Sequence, residues 1–219
     1  HKNMRLSLSI IIFLGYLIKP QTGFEIAKMI DEKPVPRSLS NKIEMLMKNS
    51  KGKTRKKMII SKSINGGEQQ IMWFVKPKID YGVSFLKIEY EHRHDEMQIW
   101  LPNFGKVRRI SSKKKGDSFM GSDLSYEDLS NRSLYENEYY RLADDVINNI
   151  ECYVLDIRPL ANLKSSYSKN VCWINKSDLT GIKEESYDKK GKLIKRKFFR
   201  YSFLDGYSIL TYAYVENIK

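Results

Sequence analysis

Three histidines, two cysteines and six prolines are all that 219 residues contain. The apolar run at the N-terminus also falls short of the roughly 20 residues that a membrane-crossing helix needs. Each scarcity excludes something. One histidine is His1, and the other two, His92 and His94, share one short polar stretch, so no serine or cysteine has a general base to pair with. No P-loop, GxGxxG or HExxH is present, which removes the phosphate-cradling loop, the dinucleotide fold and the zinc-protease helix. Cys152 and Cys172 lack CxxC spacing and a histidine-rich neighbourhood, which argues against zinc. They read either as a disulfide across a hairpin around Leu160 to Ser168, if the chain is exported, or as two buried thiols acting as small hydrophobes. The stretch EHRHDE, residues 91–96, offers metal-ligand side chains, but a solvated hairpin tip rarely fixes three or four of them at once. No metal, cofactor or catalytic constellation is expected.

What the chain does have is charge, aromatics and alternation. A net charge of +13 predicts attraction to anionic surfaces, and 12% aromatics with few prolines suits a pleated, half-buried sheet. Residues 1–23 read as a secretory signal: Lys2 and Arg5 flank Met4, and Leu6 to Ile18 form a 13-residue apolar core. Their removal takes away Lys2, Arg5 and Lys19 and no acid, lowering +13 to +10. Residues 24–219 are then one domain, large enough for a substantial core. Thr22 and Glu25 make a capping-box pattern for a helix running to about Glu32, with Ile26 and Met29 on its apolar stripe.

Strands follow. Ile43, Met45 and Met47 alternate with polar residues, KGKT turns, and Met58 and Ile60 resume the alternation. QQIMWFV, residues 69–75, is so apolar that it asks for cover on both faces. VSFLKIEY places Leu86, Ile88 and Tyr90 on one face, and MQIWL places Met97, Ile99 and Leu101 on one face before Pro102 stops it. A short strand, KVRRIS, leads to a basic loop, Lys113 to Gly116, read as a mobile connection, and then to FMGSDLSYEDL. There Asp123, Glu127 and Asp128 read as cap and hinge residues of a short helix rather than as catalytic acids. Further hairpins fill the C-terminal half, one turning through Asp188 to Gly191. In IKRKFFRYSF basic residues alternate with aromatics, which suits a nucleic-acid stacking face or, better, a sheet with a charged outside and an aromatic inside.

The order Trp100-x-Pro102, Arg108-Arg109, Phe119-x-Gly121-Ser122-Asp123-x-Ser125-Tyr126-Glu127-Asp128-Leu129 resembles the LolA/LolB-like outer membrane lipoprotein-sorting proteins. The resemblance implies a mainly β (α+β) fold, a strongly curved antiparallel sheet or half-open β-barrel with short lid helices around an apolar cavity. It implies a non-catalytic, exported, periplasmic carrier that binds acyl chains of a lipoprotein or lipid for transfer toward the outer membrane. An inner-membrane transporter and an outer-membrane acceptor are its implied partners, nucleic acid is not, and a monomer is expected. The cavity would be lined by Leu86, Ile88, Met97, Ile99 and Leu101 from strands, with Ile26, Met29, Phe119, Met120 and Leu129 from lid elements. Arg108, Arg109, Gly121, Ser122, Asp123, Tyr126 and Asp128 would support the lid. The arginines would face anionic headgroups at the cavity mouth or pair with Asp123 and Asp128. Plain core packing is the competing reading for every lining residue. The competing functions are a periplasmic adaptor without lipid cargo and, more remotely, a basic nucleic-acid-binding module.

Overall fold

The computed structural model describes residues 21–90 and 95–218. The signal segment, apart from its last three residues, and His92 and His94 lie outside the described residues. Strands dominate, as the alternation requires. β1 (Ser38–Lys48), β2 (Thr54–Ile64), β3 (Gln69–Lys76), β4 (Ser84–Ile88), β5 (Glu96–Leu101) and β6 (Lys106–Arg109) form an antiparallel six-stranded sheet in sequence order. β7 (Asn137–Arg141), β8 (Asp145–Ile147), β9 (Ile150–Pro159), β10 (Lys169–Asn175), β11 (Gly181–Tyr187), β12 (Leu193–Leu204) and β13 (Tyr207–Asn217) form the second, in the order β13-β12-β11-β10-β9-β7, with β8 beside β9. Neither sheet closes on itself, as expected of a half-open architecture.

The one α-helix among the described residues, α1 (Gly23–Asp31), starts at the predicted capping box: Glu25 N–H donates to Thr22 Oγ1 at 3.2 Å, and Thr22 N–H donates to Glu25 Oε2 at 2.7 Å. Its apolar stripe buries Ile26 and Ala27 against Leu134, in the turn before β7, and against Leu155, Ile157, Cys172 and Ile174 of the seven-stranded sheet. Gly23 permits this approach, since a Cβ there would lie 2.6 Å from the Tyr139 carbonyl oxygen. The expected second lid helix is instead a series of single 3-10 turns, at Ser112–Lys114, Glu127–Leu129 and Leu134–Glu136. Short loops pinned by side-chain bonds leave no room to propagate a helix.

Other expectations are also corrected. β3 buries Met72 and Phe74, while Ile71, Trp73 and Val75 on its other face remain half-exposed, so only one face is covered. Register places Cys172 opposite Leu155 and Cys152 opposite Asn175. Three residues of strand, roughly 10 Å, separate the two positions, beyond disulfide reach. Both are buried free thiols.

Candidate functional site

The segment from Ser118 to Arg132 lies between the two sheets and is bonded to both. Its local geometry comes from FMGSD: Met120 and Gly121 both take positive φ, 51° and 79°, and Phe119 N–H donates to the Leu124 carbonyl at 2.7 Å. Ser122 Oγ donates back to the Phe119 carbonyl at 2.7 Å, and Ser118 Oγ donates to the Ser122 carbonyl at 2.6 Å. This tight turn drives Phe119 into the six-stranded sheet. Phe119 and Tyr126 pack edge-on with centroids 5.7 Å apart, and Phe119 meets Phe85 at 5.2 Å. The wall beneath them is Ile59, Met72, Phe74, Phe85, Met97 and Ile99, all buried. Leu101, Met120, Leu124 and Leu129 pack around its margin.

The expected lining set is therefore divided. Met97, Ile99, Leu101, Phe119, Met120 and Leu129 share this cluster, whereas Ile26 and Met29 belong to the one under α1. Leu86 and Ile88 belong to neither. Phe85 pairs with Ile99 and Lys87 with Met97, so Leu86 and Ile88 project from the opposite, half-exposed face with Gln98 and Glu96 as neighbours. The reason is Lys87, which is 2% exposed yet paired: its Nζ donates to Glu89 at 2.8 Å and to the Leu129 carbonyl at 2.9 Å. A paired lysine can occupy an inward position that an isolated one cannot.

The same segment meets the seven-stranded sheet through charge. Asp128, whose side chain is 1% exposed, accepts from Ser125 N–H and Oγ at 2.8 Å each, from Tyr167 OH at 2.9 Å, from Lys195 at 2.8 Å and from Lys197. Lys197 also donates to Glu184 at 2.7 Å, and Arg132 grips Glu184 in a fork at 2.7 and 2.9 Å. Burial opposes the Asp128 charge, but Lys197 and Lys195 outweigh it and hold the carboxyl at about 2. The same contest, won by Arg132 and Lys197, keeps Glu184 well below the usual carboxylate range. Burial pushes the Tyr167 hydroxyl upward, reinforced by the Asp128 charge. Asp128 and Glu184 thus keep their charge around neutrality, and Tyr167 stays protonated. The arrangement is a clasp of ion pairs, poorly suited to moving protons.

Further bonds tie down the supposedly mobile loop. Lys115 donates to Asp95 at 2.7 Å, Glu127 N–H donates to the Lys115 carbonyl at 2.7 Å, and a Cβ on Gly116 would meet Ser166 Cβ at 2.8 Å. Glu127 accepts from Ser165 Oγ at 2.5 Å and from Ser166 N–H at 2.7 Å. The arginines form no part of the clasp: Arg108 and Arg109 are exposed on β6 with no ion pair among the described residues, although the Arg108 charge is felt at Tyr126, because Asp128 is held by Lys195 and Lys197 and Asp123 accepts from Asn217. Lys195, Lys197, Glu184, Arg132 and Tyr167 were missed in the sequence. The i, i+2 spacing of Lys195 and Lys197 did place them on one face, but that face points inward. The charged-outside reading of IKRKFFRYSF is half kept: Phe199 shares the inward face with the two lysines, while Arg196 and Arg200 stand on the other face beside Phe198, which meets Tyr214 at 6.2 Å.

Comparison with known proteins matches this architecture to a group. No curated protein matches the chain, and a family model described as "-like: Uncharacterized protein" matches residues 66–219. A solved domain from Vibrio parahaemolyticus, provisionally assigned as an outer membrane lipoprotein-sorting protein, shares 30% identity at a TM-score of 0.83, covering 90% of this chain and 85% of that one. A DUF1329 family protein from Desulfovibrio piger shares 30% identity at 0.83, with 89% and 85% covered. A LolA superfamily protein from Nitrosomonas europaea, 18% identical at 0.71 over 91% and 87%, shares the fold.

Proposed function

The chain belongs to the family of the DUF1329 and outer membrane lipoprotein-sorting proteins and has a LolA-like fold, and we propose that it is an exported, non-catalytic periplasmic carrier of acyl chains, moving a lipoprotein or lipid toward the outer membrane. The observation that carries this reading is the lidded wall. Met97, Ile99 and Phe85 present a dry surface whose cover, Phe119 to Leu129, is one short segment held by separable ion pairs. An acyl chain would take the place of Phe119 and Tyr126 against that wall. Each methylene removed from water contributes about 0.8 kcal/mol, so an acyl chain of about sixteen contributes roughly 13 kcal/mol, the scale of displacing two buried aromatic rings at about 3–5 kcal/mol each and a clasp at about 3 kcal/mol. Lining by Met97 and Met120 suits cargo of varied shape.

The expected export signal runs to residue 23, yet Gln21 and Thr22 are bonded into the domain: Arg141 donates to the Gln21 carbonyl at 2.8 Å and Tyr153 OH to its side chain at 2.9 Å, and Thr22 caps α1. In this reading the mature domain keeps Gln21 and the Thr22 cap, so the export boundary falls earlier than residue 23. An adaptor without cargo is the second reading, favoured by one observation: Phe119 and Tyr126 already fill the space over the wall. Native mass spectrometry of the protein purified from a membrane-containing lysate separates the two. Co-purified lipid or acylated peptide supports the carrier, and a bare protein mass favours the adaptor.

A further inference from the structure

The turns of the six-stranded sheet are sorted by charge. Because β1 to β6 run as an antiparallel meander, the β1–β2, β3–β4 and β5–β6 turns share one end and the β2–β3 and β4–β5 turns the other. At the first end, residues 42–57, 76–82 and 102–109 hold twelve basic residues and two acidic ones, Glu44 and Asp80. Both acids are taken up, Glu44 by Lys56 at 2.6 Å and Asp80 by Lys57 at 2.5 Å, which leaves ten cations with no ion pair among the described residues. At the other end, residues 65–68 and 89–96 hold five acidic residues, two histidines and one arginine. Net basicity alone does not separate the signs in this way, and the separation gives the sheet a field that points along its strands.

The basic end also bares apolar side chains. Ile79 and Tyr81 in the β3–β4 turn are 77% and 67% exposed, Phe104 in the β5–β6 turn 72%, and Leu46 near the end of β1 66%. Beside them lies a cleft of about 840 Å³. β2 pairs with β3 only as far as Met58 and Lys76, so the β1–β2 hairpin continues past that point as one wall, and Pro77 to Tyr81 form the other. Ile43 and Ile59 point into the core beneath Phe119, so Lys42 and Met58, which alternate with them, open the cleft on the opposite face of the sheet. Met58, Val75, Pro77 and Tyr81 make its sides apolar, while Lys42, Lys76 and Lys78 stand around it exposed. The Lys57–Asp80 pair, on the core side, holds the turn against the hairpin and so fixes the walls.

We propose that this end of the six-stranded sheet seats on an anionic phospholipid bilayer, with one lipid phosphate among Lys42, Lys76 and Lys78 in the cleft and Ile79 and Phe104 entering the boundary between headgroups and acyl chains. Exposed aliphatic and aromatic side chains ringed by free cations suit an interface that is apolar below and negative above. Lysine, a point charge on a flexible stem, serves phosphate well. Seven of the ten free cations are lysine, the residue that protein–protein interfaces deplete, so an acidic protein is the poorer match. The acidic turns at the far end are repelled by the same surface, which sets the orientation. The seat does not depend on the carrier reading, since an adaptor without cargo would dock in the same way.

Flotation of the full chain with vesicles of phosphatidylcholine, alone or mixed with phosphatidylglycerol, tests it. The apolar N-terminal run is common to every variant, so the comparison between variants isolates the sheet end. The wild type should prefer the mixed vesicles and lose that preference as salt rises. Lys42→Ser/Lys76→Ser/Lys78→Ser should lower partitioning onto them by about a hundredfold, at about fivefold per cation. Ile79→Ser/Phe104→Ser should lower it by at least about tenfold. Lys164→Ser/Lys190→Ser/Lys192→Ser removes the same charge from exposed positions of the other half and should stay within about threefold of wild type. All replaced residues are exposed, so melting temperatures should match the wild type. A wild type without preference for the mixed vesicles overturns the proposal and leaves the cleft to an acidic protein. A cleft variant that binds as tightly as wild type, or a Lys164/Lys190/Lys192 variant that loses as much, overturns it too.

Discussion

Replacing Asp128 with asparagine removes one charge from the clasp and keeps its shape. Asp128 is held by two lysines and a tyrosine, with the Lys197 side chain 4% and the Lys195 side chain 13% exposed. Breaking a buried ion pair by removing one partner costs about 3–5 kcal/mol. The lower end applies here, about 3 kcal/mol, because Lys197 keeps Glu184 as a partner. For a domain of this size that lowers the melting temperature by roughly 6–12 °C. The pH dependence supplies a sharper signature. The folded-state pKa of Asp128, about 2, lies below its ordinary 3.8, so its contribution is complete above pH 3.8 and is lost as pH falls through about 2. That shift corresponds to about 2 kcal/mol. Urea titrations followed by the fluorescence of Trp73, Trp100 and Trp173 should therefore show a large gap between wild type and Asp128→Asn at pH 7 that narrows steadily below pH 4. An equal gap at all pH values, or no gap at pH 7, would refute the clasp. Asp123→Asn, at an exposed position, is the control and should change stability by less than about 0.5 kcal/mol.

Phe119→Ala should destabilise by about 3–5 kcal/mol in the same titration, since Phe119 is 1% exposed and contacts Phe74, Phe85 and Tyr126. Gly23→Ala should cost about 1–3 kcal/mol by driving a methyl group into the Tyr139 carbonyl, read as a lowered melting temperature, while Thr22→Ala should cost about 1 kcal/mol through loss of the cap. Arg108→Gln and Arg109→Gln should each leave stability within about 0.5 kcal/mol, contrary to a lid-fixing role. Dithiothreitol should leave the melting temperature unchanged, because Cys152 and Cys172 are not bridged.

How far the fold could be read depended on whether its cause was local. The capping box of α1, the alternating strands, the Asp188–Gly191 turn and the FMGSD turn all depend on neighbours within a few residues, and all were legible. Sidedness failed wherever a lysine was buried. Lys87 has the composition of an outward residue, so VSFLKIEY suggested Leu86 and Ile88 inward; its carbonyl partner at Leu129 lies 42 positions away. Lys195 and Lys197 misled in the same way, their shared partner Asp128 being 67 and 69 positions distant. No local pattern announces such a pairing. The motif around Asp128 lies in the segment that packs between the two sheets, but the pairing of Arg108 or Arg109 with Asp128 is not formed, because Lys195 and Lys197 of the other sheet already hold that carboxylate.

The central claim is that acyl chains lie against the Met97 face and beneath Phe119. Photolabelling with a diazirine-bearing fatty acid, followed by peptide mapping, tests it directly. The account predicts label on Phe85, Met97, Ile99 and the Phe119–Leu129 segment, competed away by unlabelled fatty acid. Label confined to Ile71, Trp73, Leu86 and Ile88 on the opposite face, or no competable label anywhere, would contradict it.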